Sequence, residues 1–80
     1  MEGTQELETK VLLPPVNVRA IRQAQGLTRE EFASRYGLQP RTIQEWEQGR
    51  RTPESAAHAY LLVIQNEPAA VRRALGNQQP

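Results

Sequence analysis

Residues 27–49 read LTREEFASRYGLQPRTIQEWEQG, and the order of residue types is that of two short helices meeting at a tight turn. Thr28 followed three positions later by Glu31 is the reciprocal capping-box pattern that opens a helix. Phe32, Ala33 and Tyr36 then fall on one stripe of that helix, with Ala33 small where a second helix must approach. Gly37 supplies the left-handed residue that ends it, and Leu38 plugs the space beneath the turn. Gln39-Pro40 opens the second helix, because the first helical N–H has no intrahelical partner for proline to remove. Ile43 and Trp46 share its inner face and are both expected in the core, and Gly49 closes it.

The flanking sequence continues in helices. Asn17 caps a helix running to about Gln25, with Val18 and Ile21 inward and Gly26 at its end. Downstream, Thr52-Pro53-Glu54 reads as a cap, a proline and a dipole-favouring acid. The helix it opens runs to about Gln65, with Ala57, Tyr60, Leu61 and Ile64 as candidate core. Asn66-Glu67-Pro68 opens a fifth helix that ends at Gly76. No strand-like alternation competes, so the expectation is an all-α domain of five helices over residues 16–76. An acidic, flexible tail (1–15) ending in Pro14-Pro15 precedes it, and a frayed end (77–80) follows.

Composition narrows the function classes. A hydrophobic share of 38% with 24% charged residues fits one small globular domain with a modest core, for which dimerisation is a natural source of stability. The absence of cysteine excludes disulfides and thiolate metal sites, and the single histidine argues against a zinc-type centre. No metal or cofactor is expected. Neither a secretory signal nor a membrane span is visible at this stage, so the expected location is cytoplasmic, with no membrane partner. The net charge of +1 hides an uneven distribution. Residues 1–15 carry −2, residues 16–53 carry +3, and residues 54–80 balance. The basic excess therefore coincides with the two-helix unit, where a phosphate-facing surface would lie.

With Ile43 and Trp46 turned inward, Gln39, Arg41, Gln44 and Glu45 point away from the core. Arginine pairs bidentately with guanine and glutamine with adenine, each good pair contributing about 1–3 kcal/mol of discrimination in a major groove. Arg50 and Arg51, directly after this helix, read as phosphate contacts rather than as a merely solvated turn. Arg72 and Arg73 read as a solvated face. Glu54, Ser55 and His58 lie close together on one helix, but no oriented base, oxyanion site or pocket accompanies them, so no enzyme activity is expected.

The pattern Ile21-Arg22, Gly26-Leu27-Thr28, Glu31-Phe32-Ala33, Gly37-Leu38, Thr42-Ile43, Trp46-Glu47-Gln48-Gly49 and Arg51-Thr52-Pro53 resembles the Cro/C1-type (XRE) helix-turn-helix family, over about residues 17–64. The resemblance implies a lambda-repressor-like fold in which the helix from Pro40 is the recognition helix and Arg29 also approaches the bases. It places Thr42, Gln48, Arg50 and Arg51 on the DNA backbone. It also implies a partly buried ion pair between Arg22 and Glu47. The family usually has Ser, Thr or Gln where this chain has Pro40 and Arg41.

Over about residues 12–75 the layout is most similar to HigA-type antitoxins, and to the DNA-binding half of MqsA-type antitoxins without their zinc half. This implies a homodimer that represses its own operon on double-stranded operator DNA and neutralises a cognate toxin, a RelE/HigB-like mRNA nuclease. The alternatives are a solitary phage or mobile-element repressor, and a protein-binding module whose DNA binding is vestigial. Tyr60 to Ile64 are five consecutive large apolar residues, more than one face of a helix buries within its own domain. Leu62 and Val63, with Val71 and Leu75 from the last helix, are therefore the candidate dimer seam, with a wholly intramolecular core as the other reading.

Overall fold

The structure is a computed structural model that describes residues 13–76. Five α-helices follow one another: α1 (Val18–Ala24), α2 (Arg29–Tyr36), α3 (Pro40–Glu47), α4 (Ser55–Asn66) and α5 (Pro68–Ala74). Among the described residues there is no strand. The expected tail falls mostly outside the described residues, as does the 77–80 end. Of the tail only Leu13, Pro14 and Pro15 are described, and there the His58 ring nitrogen Nε2 donates to the Pro14 carbonyl oxygen across 2.7 Å. His58 therefore ties the incoming chain to α4.

Local chemistry sets the helix ends. The Asn17 side chain accepts from the Ala20 N–H at 3.0 Å, satisfying one of the orphan donors of α1. At α2 both halves of the capping box form: Glu31 N–H donates to Thr28 Oγ1 (3.0 Å), and Thr28 N–H to a Glu31 carboxylate oxygen (2.9 Å). Gly37 takes φ +71°, a conformation that would strain a side chain, and the chain turns so that Leu38 N–H reaches the Ala33 carbonyl at 2.9 Å. Pro40 occupies the first turn of α3, behind an extended Gln39 that makes no side-chain cap.

The start of α4 differs from expectation. The helix begins at Ser55 with Glu54 as its uncapped N-terminal neighbour, so Thr52 is not its cap. Pro53 is instead spent on packing: it lines a shallow surface depression together with Val16, Val18 and Trp46.

The core is Val18, Ile21, Phe32, Ala33, Tyr36, Ile43, Leu61, Ile64 and Val71. Phe32 and Tyr36 stack tilted, ring centroids 4.9 Å apart, which adds a specific contact to their burial. The Tyr60 hydroxyl donates to the Tyr36 carbonyl at 2.7 Å, and the Tyr36 hydroxyl donates to the Gln25 side chain, so the polar tips of both rings are satisfied. Four expectations need correcting. Ala57 and Tyr60 are only partly buried, Tyr60 packing against the core rather than within it. Trp46 is only partly buried and packs on the core from outside, where it lines the surface depression with Val16, Val18 and Pro53. Val71, expected on a dimer seam, is 6% exposed in the chain's own core, because α5 folds back against α2 and α4.

Candidate nucleic-acid interface

Ile43 is wholly buried, and that single anchor determines which way α3 turns. Away from that anchor, Arg41, Gln44 and Gln48 lie on the other sides of the helix and are exposed, as is Gln39 at its N-terminus. The Arg41 side chain is 87% exposed, the state a base-reading group needs before DNA arrives. Arg41, Gln44 and Gln48, together with Arg29 and Glu30 from the start of α2 and Arg50 beyond α3, line an open groove of about 350 Å³. The structure thus brings Arg29, Arg41, Gln44, Glu45, Gln48 and Arg50 to one surface. Gln39 lies at the N-terminus of the same helix, and Thr42 is half-buried on its flank.

Glu45, expected to face the bases, is engaged within the chain. Its carboxylate accepts from Arg51 Nη1 at 3.1 Å and lies 3.5 Å from Arg41 Nε. Its backbone carbonyl accepts from the N–H groups of Arg50 (2.9 Å) and Arg51 (3.3 Å). Chiefly the Arg51 hydrogen bond, opposed by some desolvation, holds the Glu45 carboxyl below the usual carboxylate range. A carboxylate on a phosphate-facing surface repels DNA unless it is neutralised, and here two arginines neutralise it. Glu45 orients Arg41 and Arg51 and fixes the turn that follows α3.

A second carboxylate, Glu47, closes α3 with its side chain fully buried. Arg22 grips it with two bonds, Nε to one oxygen at 2.7 Å and Nη2 to the other at 3.0 Å, while Arg22 Nη1 donates to the Leu27 carbonyl at 2.9 Å. Such a fork is the strong form of a charge-assisted pair. Arg29 Nε adds a bond of 3.1 Å, and Arg19 Nε lies 3.5 Å from the same oxygen. Burial alone would raise the Glu47 carboxyl. The hydrogen bonds from Arg22 and Arg29 outweigh it, and the group is held below its ordinary range. Arg29 is therefore a partner of Glu47 first, and its reach to bases is limited by that bond. Arg19 was not among the expected site residues. The signal was present, since Arg19 and Arg22 are three apart and share a face of α1.

Of the candidate seam, Val63 and Leu75 are the large hydrophobic residues left exposed among the described residues, at 48% and 51%, and Leu62, next to Val63 on α4, is half-buried. Among the described residues no cluster of His, Asp or Glu could hold a metal ion, and no helix is long and apolar enough to cross a membrane.

A helix-turn-helix family model matches residues 18–56, the span from α1 to the start of α4. A crystal structure of an XRE-family-like helix-turn-helix protein from Agrobacterium tumefaciens is similar at 43% sequence identity and a TM-score of 0.71. The alignment covers 72% of this chain and 94% of that one. The chain belongs to the XRE family of helix-turn-helix proteins. No curated protein sequence matches it. In this XRE-family chain α2 and α3 are the two helices of the motif, and the domain is a DNA-binding domain of the kind that transcriptional regulators carry.

Proposed function

We propose that this XRE-family protein is a sequence-specific transcriptional repressor that binds operator DNA as a homodimer and serves as the antitoxin of a toxin–antitoxin pair. The observation that carries the repressor reading is the exposed outer face of α3, where Arg41 and Gln44 stand beside Arg29 and Arg50 on one open groove. Those side chains have the donors and acceptors that major-groove base edges demand, and the arginines supply the phosphate attraction. The exposed Val63 and Leu75, with Leu62, support a second copy packed along α4 and the end of α5. The antitoxin role is supported by the sequence likeness to HigA-type proteins over residues 12–75; the toxin is then an mRNA nuclease of RelE/HigB type, and the protein itself works in the cytoplasm without catalysing a reaction.

The test is a gel shift on the promoter region upstream of the gene, with and without the product of the adjacent small gene. Specific binding that is lost in Arg41→Ala and altered by the neighbouring product supports both parts. Specific binding indifferent to that product leaves a solitary repressor, and no specific binding at low salt overturns the repressor reading.

A further inference from the structure

Arg19 stands outside both helices of the motif, and the Glu47 bond does not explain it. Arg22 alone satisfies both oxygens of Glu47. A third guanidinium at 3.5 Å with its side chain 51% exposed adds little to stability, because water screens such a pair. Three arginines gather around this one buried carboxylate, with Glu30 as the further acid acting on Arg22, so positive charge is in excess there. The position of the surplus is specific. Glu47 is the last residue of α3, so the charges gather at the end of the helix whose outer face carries Arg41 and Gln44. On one side of Glu47, Arg29 lines the groove shared with Gln48 and Arg50. On the other, Arg19 lines a depression shared with Glu47 and Gly49, at the turn that leads into Arg50 and Arg51.

We propose that Arg19 binds a DNA phosphate, with Glu47 as the positioning residue that aims it, so that α1 contributes a backbone contact next to the turn after α3. Among the described residues Arg19 uses only its Nε, towards Glu47, which leaves both terminal amino groups of the guanidinium for two parallel hydrogen bonds to phosphate oxygens. The bond to Glu47 limits the side chain's rotamers beforehand and so reduces the ordering entropy lost on binding. The contact is independent of sequence, since it reads charge and backbone position alone. This inference rests on the DNA-binding reading above, and its test separates the two.

The probe is a 24-base-pair duplex of arbitrary sequence, because a phosphate contact does not need the operator. Binding is followed by fluorescence anisotropy across a salt series, at a temperature where circular dichroism shows every variant folded. Arg19→Ala is expected to reduce the slope of log affinity against log salt by about 0.9, equivalent to about eightfold weaker binding at 0.1 M salt. Arg19→Lys keeps the charge and is expected to keep the slope. Arg73→Ala, in the last turn of α5, is expected to leave it unchanged. A wild-type slope in Arg19→Ala, or an equal loss in Arg73→Ala, overturns the Arg19 contact while the DNA-binding reading stands. A wild-type protein with no salt-dependent affinity for the duplex overturns both.

Discussion

Removing Glu47 and removing Arg22 break the same buried fork, yet the two substitutions are expected to differ in severity, and the difference can be worked from the geometry. In Glu47→Ala, Arg22 keeps only its bond to the Leu27 carbonyl, with a side chain just 13% exposed, and Arg19 and Arg29 lose the carboxylate that drew them together. Stranding a buried charge in this way costs about 3–5 kcal/mol. In Arg22→Ala, Glu47 keeps Arg29 at 3.1 Å and Arg19 at 3.5 Å, so the carboxylate is still partnered. The expected loss is then smaller by about 1.5–3 kcal/mol, roughly one hydrogen bond to a charged group. A domain of this size has a total stability of only about 5 kcal/mol, so Glu47→Ala should lower Tm by at least about 15 °C and leave the chain close to unfolded at 37 °C. The measurement is urea denaturation followed by circular dichroism at 222 nm, with Tm from thermal scans of the same samples. An Arg22→Ala variant as unstable as Glu47→Ala, or a Glu47→Ala loss under about 1 kcal/mol, would refute the asymmetric three-arginine account.

Because the folded Glu47 carboxyl is lowered from an unfolded value near 4.5, its contribution is complete above that value and is lost as pH falls through the folded one. Urea midpoints of the wild type should therefore drop as pH falls below about 4.5, with a shallower drop in Glu47→Gln. Phe32 has no exposed surface, so Phe32→Ala should cost about 3–5 kcal/mol, whereas the half-buried Trp46→Ala should cost about 2 kcal/mol; equal losses in urea melts would count against the placement of Trp46 outside the core. On the proposed homodimer, Val63→Asp or Leu75→Asp should shift a light-scattering mass from dimer to monomer with helicity retained. Val71→Asp, which puts a charge in the core, should abolish the helical signal instead.

Much of the fold was legible because its signals are local. Asn17, Thr28 with Glu31, Gly37 and Pro40 each act within one turn of chain, and the helices they bound begin and end where those residues require. The start of α4 was misread for the opposite reason. Thr52-Pro53 carries a local helix-start signal, but Pro53 packs at the depression beside Trp46, a tertiary contact that no window of sequence contains. Val71 failed in the same way: helical periodicity marks an apolar face but does not say whether that face meets its own domain or a second copy. In the interface, Arg41 and Gln44 follow from the inward pull of Ile43. The engagement of Glu45 with Arg51, and of Arg19 and Arg29 with Glu47, depends on side chains 6, 28 and 18 positions apart meeting in space. For the arginines around Glu47 the hints were the Arg22–Glu47 pair implied by the family resemblance and the i,i+3 spacing of Arg19 and Arg22.

The α3 helix is held to the rest of the protein by few of its own residues. Ile43 is buried outright, Glu47 is clamped by arginines from α1 and α2, and Trp46 leans on the core from outside. Gln39, Arg41, Gln44 and Gln48 support none of that attachment. Substitutions there are nearly silent in folding, so a lineage of such proteins can exchange these four side chains and acquire a new operator while the scaffold stays the same. Selection for a different regulatory target and selection for a stable chain then act on separate sets of positions, and divergence between related regulators should concentrate on the outward quartet long before it reaches Ile43 or Glu47.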